Sequence, residues 1–186
     1  MIDKLIIDFD CTAYNTIKAI VDLYDNDFYG SPGYEKLHWT EINTWDFIEL
    51  KCASKEYIDT YFNQMRFFET IEPMYNFNEI INRLKDQYKI QFCSMGSHDN
   101  LYLKQRFLKY HCPYADFIGV NINEMPDKSH IDMRNSVFID DSKKNLETSN
   151  AELKVLFGDD YSWNEGYEGL HCYNWYDVER SLRRWI

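Results

Sequence analysis

The sequence predicts an α/β fold in which helices flank a parallel β-sheet and a small helical segment is inserted after the first strand. Short continuous apolar runs recur along the chain, and such runs are typical of strands buried on both faces. Stretches with helical spacing of apolar residues alternate with them and are long enough for right-handed crossovers. From residue 34 to about 72 strand patterns are scarce and aromatic residues are frequent, which indicates that residues 14–72 form a small helical insertion rather than a separate domain.

Composition limits the class of protein. The chain has 186 residues, of which 45% are apolar, so it predicts one ordinary domain with a substantial core. Its 20 Lys and Arg against 31 Asp and Glu give a net charge of −11, which repels polymeric nucleic acid. A small phosphate ester held by a metal ion and a well-placed lysine is compatible with that charge.

The cysteines and the N-terminus favour a cytoplasmic protein. Five cysteines, an odd number without CxxC spacing, are typical of reduced thiols rather than of disulfides or a zinc site. The chain enters its first strand by Lys4, so no signal peptide is expected, and no apolar run approaches the length that spans a membrane. A homodimer remains open.

The elements before residue 73 are predicted in order as follows. Residues 5–7 form the first strand, and apolar residues at helical spacing from Ile17 to Tyr24 predict a helix. A second helix follows Ser54 as N-cap and continues to Met65. We interpret residues 14–72 as a helical cap, and residues 1–13 with 73–186 as the core.

The chain after Pro73 returns to alternating helices and strands. Asn174 is expected to cap the last helix. The predicted strands are 88–93, 117–120, 136–139 and 154–157, and the predicted helices are 77–84 and 100–110.

Asp8 and Asp10 follow the first strand directly, at the edge of an α/β sheet where ligands bind. In an extended segment both carboxylates point to the same side, and they repel unless a positive charge lies beside them. A hard divalent cation such as Mg²⁺ satisfies two such oxygens. A strand end followed by an Asx turn explains this stretch equally well.

Polar residues end two more predicted strands. Ser94 closes the second, Asp140 and Asp141 close the fourth, and Lys128 lies in the loop before the fourth. Each has a simple alternative explanation: a turn serine, a helix-capping acid pair, a surface lysine. The functional interpretation depends on their occurring together, each in its structural context.

This order of residues resembles the haloacid dehalogenase (HAD) superfamily of phosphohydrolases, which implies a three-layer HAD-like fold. The residues that match its four motifs are Asp8, Asp10 and Thr12 (DxDx[TV]), Ser94, Lys128, and Asp140-Asp141. The chain is further similar to the 5′(3′)-deoxyribonucleotidase branch, including its phage and bacterial members. The segments that carry this second similarity are Phe67-Phe68, Ile71-Glu72-Pro73, Asp127-Lys128-Ser129 and Asn174-Trp175. Cys11 departs from the pattern, because this family usually has Gly there.

The resemblance implies roles for these residues. Asp8 would attack phosphorus and Asp10 would act as general acid and base. Asp8, the carbonyl oxygen of Asp10, and Asp141 would hold Mg²⁺, with Asp140 acting beside them; which of the two adjacent acids binds directly stays open. Phosphate donors would be Ser94, Lys128 and the loop amides at Cys11 and Met95.

The aromatic residues of the insertion raise the question of substrate. Trp39, Trp45, Phe67 and Phe68 could stack a nucleobase, although most aromatic residues of a small cap form its own core. We expect a nucleoside 5′-monophosphate as the substrate. The alternatives are another small phosphate ester, a polynucleotide end, or a non-catalytic nucleotide-binding module, the last suggested by Cys11.

Overall fold

A computed structural model describes residues 2–185, and it confirms the predicted α/β fold. Six parallel strands form one sheet in the order β3-β2-β1-β4-β5-β6. The strands are β1 (Lys4–Ile7), β2 (Lys89–Gly96), β3 (Asp116–Asn121), β4 (Ser136–Asp140), β5 (Leu153–Phe157) and β6 (Leu170–Cys172).

Helices lie between the strands, and a short 3₁₀ helix spans Trp39–Glu41. Ser54 caps α2 and Asn174 caps α7, both as the sequence predicted. The α-helices are α1 (Thr16–Phe28), α2 (Lys55–Tyr61), α3 (Met65–Thr70), α4 (Phe77–Leu84), α5 (His98–His111), α6 (Lys143–Thr148) and α7 (Trp175–Trp185).

Both faces of the sheet are covered, which explains the continuous apolar strands. Leu5 and Ile7 belong to a large core that includes α4 and α7, whereas Ile6 packs on the opposite face with Phe138 and with Leu146 of α6. This alternation follows from the two-residue period of a strand.

The two ends of the predicted insertion lie side by side. Tyr14 forms an antiparallel bridge with Pro73, and the amide of Asn15 donates to the carbonyl oxygen of Glu72 over 2.9 Å. A segment that leaves and rejoins the core at one point can be accommodated without disturbing the sheet. The boundaries 14–72 remain our assignment.

Several elements differ from the sequence predictions, including the short helices at Trp39–Glu41 and Lys143–Thr148, which were not among the predicted helices. Strand β2 continues through Gly96 because its last residues pair with β3 up to Asn121. The helix expected to run on to Met65 ends at Tyr61, and α3 begins separately at Met65. Strand β6 was not predicted, since three residues carry little pattern.

No helix within residues 2–185 has the length and apolar character needed to cross a bilayer.

Candidate active site

The predicted acids come together at the carboxyl edge of the sheet. Strand β1 lies between β2 and β4, so Asp8 after β1 is next to Ser94 of β2 and Asp140 at the end of β4. The Asp8 amide donates to the carbonyl oxygen of Ile139 over 2.9 Å, which extends the pairing with β4 by one residue. All three side chains are buried.

Lys128 connects the first and last acidic motifs. Its side chain is fully buried, and Nζ donates to Oδ1 of Asp8 and, over 2.6 Å, to Oδ2 of Asp140. Burial alone would lower the pKa of Lys128, but the two carboxylates outweigh it and raise that pKa. Asp140 also accepts from the Ser142 amide and from Nδ2 of Asn145, at 2.8 and 3.2 Å. Lys128 and Asp140 are therefore held in fixed positions beside Asp8.

Asp8 and Asp141 are carboxylates with incomplete charge compensation. Burial raises the pKa of Asp8 to about 7; Lys128 opposes this effect, and Asp140 and Asp10 add to it. Burial, with repulsion from Asp140 and Asp8, likewise raises the pKa of Asp141 well above its usual range. The indole Nε1 of Trp163 donates to Oδ2 of Asp141 over 2.7 Å.

These residues fit a divalent cation. The site contains four carboxylates (Asp8, Asp10, Asp140 and Asp141) and two buried lysines (Lys104 and Lys128). With all six groups ionised, two negative charges are unbalanced, and buried charge without a partner is costly. Mg²⁺ keeps several waters and needs only one or two protein carboxylates. Within residues 2–185 no cluster of three acid, His or Cys ligands is preformed, so waters would have to complete the coordination of the ion.

Asp10 is held by two side chains that the sequence did not single out. Thr16 Oγ1 donates to Oδ1 of Asp10 over 2.8 Å, and Lys104 Nζ donates to Oδ2. Lys104 is fully buried and also donates to Ser94 Oγ and to the Met95 carbonyl oxygen, at 2.9 and 3.0 Å. Met95 thus lies beside the acid, and its carbonyl oxygen accepts from this lysine.

Cys11 adopts a left-handed backbone conformation with φ of 53°. This is the conformation that glycine adopts without steric cost. The Cys11 thiol is buried, and burial, with Asp141 and Asp10 nearby, raises its pKa well above the usual range. The thiol is consequently protonated and packs in the core.

A cavity of about 560 Å³ opens beside Asp10, and its lining residues come both from the predicted insertion and from the predicted core. Asp10 and Lys104 line one part of it, and Ser97, Asn63 and Asn100 contribute polar groups. Its apolar lining consists mainly of Trp45, Phe62, Met95 and Ile122.

The four aromatic residues suggested for base stacking separate in the structure. Trp45 lines the cavity, whereas Trp39 lies on the 3₁₀ helix and is not among its lining residues. Phe67 is fully buried and Phe68 is 7% exposed; both rings pack in the core, against each other at 5.1 Å. The structure therefore keeps only Trp45 in reach of a ligand in this cavity, and Phe67 and Phe68 serve the packing of α3.

Sequence reasoning missed Lys104, Thr16 and Trp163. Lys104 had a detectable signal, because Asn100, Lys104 and Leu108 recur every four residues and form the buried stripe of α5. A lysine in the middle of such a stripe needs a buried partner. Trp163 lies in the loop after β5 and had no comparable signal.

Comparison with known sequence families gives a match over nearly the whole chain. The sequence model of the family described as 5′ nucleotidase, deoxy (pyrimidine), cytosolic type C protein matches residues 1–184. Among curated proteins no sequence match is found.

Solved structures share the fold at low sequence identity. A haloacid dehalogenase-like hydrolase from Streptococcus pneumoniae superposes with a TM-score of 0.65 at 12% identity, covering 97% of this chain and 98% of that one. A HAD-superfamily hydrolase of subfamily IA from Geobacter sulfurreducens gives 0.61 at 14% identity, with 97% and 96% covered. The magnesium-bound structure of YfnB from Bacillus subtilis gives 0.57 at 13% identity, with 97% and 98% covered.

Proposed function

Because the chain belongs to the cytosolic type C family of deoxy (pyrimidine) 5′ nucleotidases and is a HAD-type phosphatase, we propose that it hydrolyses deoxynucleoside 5′-monophosphates with Mg²⁺ as cofactor. The observation that carries the proposal is the buried lysine Lys128, which joins the nucleophile candidate Asp8 to Asp140 at one edge of the sheet. Five free cysteines support an intracellular location. A homodimer remains a prediction.

Asp8 is the proposed nucleophile. Its oxygen attacks phosphorus while the bond to the leaving oxygen breaks, which gives an aspartyl-phosphate and a nucleoside. The Asp10 carboxyl donates its proton to that leaving oxygen. The Asp10 carboxylate then takes a proton from water, whose oxygen attacks phosphorus and releases inorganic phosphate from Asp8.

Phosphate esters and carboxylates repel each other, so the site must supply positive charge and hydrogen-bond donors. Lys128 and the hydroxyl of Ser94 are the proposed donors to the phosphoryl oxygens, with the amides of Cys11 and Met95. We assign the Asp8 and Asp141 carboxylates and the Asp10 carbonyl oxygen as the protein ligands of Mg²⁺. When bound, the ion would neutralise the acids and polarise the phosphoryl group.

The cavity beside Asp10 is the proposed site of the leaving nucleoside. Its volume is in the range that holds small ligands, and its lining is largely apolar. Trp45 presents an aromatic ring on which a base can stack. Polymeric nucleic acid is a poor candidate because of the net charge of −11.

The direct test measures phosphate release from deoxynucleoside 5′-monophosphates by the purified protein, with Mg²⁺ and with EDTA. We expect Mg²⁺-dependent release, and a loss on the order of 10³-fold or more in kcat for Asp8→Asn. Asp132→Asn, at an exposed acid paired with Arg134, is the matched control. No release from any nucleoside monophosphate would refute the substrate, and full activity of Asp8→Asn would refute the nucleophile.

The base site has its own test. Trp45→Ala should raise KM about 5- to 150-fold, since stacking on one aromatic ring contributes about 1–3 kcal/mol. Trp39→Ala should leave KM within about twofold, because Trp39 is not among the residues that line the cavity. Equal effects of the two variants would show that the nucleoside binds elsewhere.

A further inference from the structure

Lys104 contacts the acid that the proposed reaction uses for proton transfer. It lies fully buried on α5, and its ammonium group donates to Oδ2 of Asp10, to Oγ of Ser94 and to the carbonyl oxygen of Met95. An ammonium group has three protons, so the three contacts use its full donor capacity. Lys104 therefore has one defined position.

Asp10 is correspondingly fixed at both oxygens. Thr16 Oγ1 holds Oδ1 at 2.8 Å, while Lys104 holds Oδ2. The Asp10 side chain is 16% exposed, and the residue lines the cavity beside the site. Its carboxyl group is thus oriented by the protein and still reachable from the cavity.

Packing of α5 does not require a lysine at this position. Replacing both members of a buried ion pair by apolar residues of similar volume is often neutral or stabilising, whereas removing one member leaves the other as an unpaired charge. A buried ion pair is therefore weak evidence for a stabilising role, and the contact of Lys104 with Asp10 is better explained by the reaction.

We propose that Lys104 is a positioning residue for Asp10, which orients its carboxyl group toward the leaving oxygen and stabilises the charge that Asp10 acquires. This inference rests on the proposed role of Asp10. As the bond between phosphorus and the leaving oxygen breaks, its electron pair stays on that oxygen, which takes the Asp10 proton. Asp10 becomes a carboxylate at that moment, and the ammonium group of Lys104 is already beside it.

The proposal predicts a dependence on the leaving group. 4-Nitrophenolate leaves without being protonated, whereas phenolate and an alkyl oxygen need a proton in the transition state. General acid catalysis contributes about 10²- to 10⁴-fold, and only the poorer leaving groups should lose it. Phenyl and 4-nitrophenyl phosphate have almost the same shape, so the comparison separates proton transfer from substrate binding.

The experiment compares kcat/KM for the two aryl phosphates in the wild-type protein, Lys104→Met and Asp10→Asn. For Lys104→Met we expect a loss on the order of 10²-fold with phenyl phosphate and of less than about fivefold with 4-nitrophenyl phosphate. Lys109→Met, at an exposed lysine of the same helix, should leave both values within about twofold. Activity toward 4-nitrophenyl phosphate also reports that the variant is folded.

Equal losses with both substrates would overturn the proposal, because they would indicate phosphate binding or a structural role. Unchanged values would overturn it as well. If Lys104→Met does not fold, Lys104→Gln is used in its place. Its amide keeps two hydrogen-bond donors but carries no charge, so the same losses are expected with the two aryl phosphates. A wild-type protein that cleaves aryl phosphates but no nucleotide would refute the proposed substrate alone. An Asp10→Asn variant without leaving-group dependence would refute the role of Asp10 and the inference with it.

Discussion

Lys128 is the residue on which the charge balance of the site depends. It is fully buried, and its ammonium group lies between Asp8 and Asp140. Taken alone in the sequence, Lys128 is most simply a surface lysine, and only together with the other motifs does it predict a phosphate-binding group. Its burial against two acids gives it the position expected of a phosphate-binding group in the proposed reaction.

Lys128→Met should lower the free energy of unfolding by about 3–5 kcal/mol in the absence of metal, because two buried carboxylates lose their partner. Mg²⁺ should raise the Tm of this variant more than that of the wild type, since the more negative site binds a cation more tightly. Thermal denaturation with and without Mg²⁺ measures both effects.

Lys144→Met is the control for this variant. Lys144 is 60% exposed; its Nζ lies 3.8 Å from Asp127 and donates to the Pro126 carbonyl oxygen over 2.9 Å. Its replacement should lower the free energy of unfolding by less than about 1 kcal/mol and leave the response to Mg²⁺ unchanged. An equal Mg²⁺ response in wild type and Lys128→Met would contradict the placement of the ion beside Asp8.

The backbone conformation of Cys11, at the same site, is strained and lowers the stability of the folded protein. Its φ of 53° places a residue with a Cβ atom in the left-handed region, at a cost of about 1–2 kcal/mol.

Cys11→Gly should therefore be more stable than Cys11→Ala by about 1 kcal/mol. Both variants remove the buried thiol, and only glycine relieves the backbone. Urea denaturation of the pair measures the difference. A more stable alanine variant would show that the backbone is not strained there.

At the scale of elements, α1 and α3 are joined by an ion pair within the predicted insertion. The guanidinium group of Arg66 donates to both oxygens of Asp27, at 2.5 and 2.6 Å, and Tyr61 Oη adds a bond at 2.9 Å. Hydrogen bonds from Arg66, opposed by burial and assisted by Tyr61, lower the pKa of Asp27. This group fixes the end of α1 to the start of α3.

The stabilisation should depend on pH in a defined direction. A carboxyl whose folded pKa lies below its unfolded pKa stabilises the protein above the unfolded value, near 4, and the stabilisation is lost as pH falls toward the folded pKa. Asp27→Asn should lower the free energy of unfolding by about 1–3 kcal/mol at pH 7, and by less below pH 4. Chemical denaturation at several pH values tests this.

Asp59→Asn is the matched control for Asp27→Asn. Asp59 pairs with Lys55, and the two side chains are 50% and 44% exposed. Loss of this exposed ion pair should lower the free energy of unfolding by less than about 0.5 kcal/mol at any of these pH values. If Asp27→Asn lowers the free energy of unfolding by the same amount at every pH, the assigned ion pair is contradicted.

At the scale of the whole molecule, the loop after β5 connects the acidic site with the segment before α2. Trp163 donates to Asp141, and its ring lies 5.2 Å from that of Trp45. Ser162 Oγ donates to the Asn43 carbonyl oxygen over 2.8 Å. The Trp163 indole therefore contacts both Asp141 and Trp45, which lines the cavity. A change in the charge or position of the Asp141 carboxylate can affect the cavity wall through this ring.

Mg²⁺ should change the tryptophan fluorescence of the protein, because a cation at Asp141 alters the field around the Trp163 indole. Trp163→Phe should abolish most of that change. Trp39→Phe should retain it, since Trp39 lies on the 3₁₀ helix, where its ring is 5.5 Å from that of His38. A titration followed by emission measures both variants, and a full response in Trp163→Phe would contradict Asp141 as a ligand.

The sequence by itself determined five of the six strands found within residues 2–185, and it identified the acids of the site. Buried parallel strands need continuous apolar runs, and Asp8 and Asp140 follow two such runs directly. Helix caps such as Ser54 and Asn174 are equally local signals, because the capping side chain bonds to its own helix. These properties depend on neighbours in the chain.

Only the tertiary structure decided which side chains surround the acids. Lys104 meets Asp10 across 94 positions of the chain, and Trp163 meets Asp141 from a loop without pattern. Likewise Phe67 and Trp45, both aromatic residues of the same segment, differ only in that one packs in the core and the other lines the cavity. Such contacts depend on how distant elements pack, and no local spacing of residues records that packing.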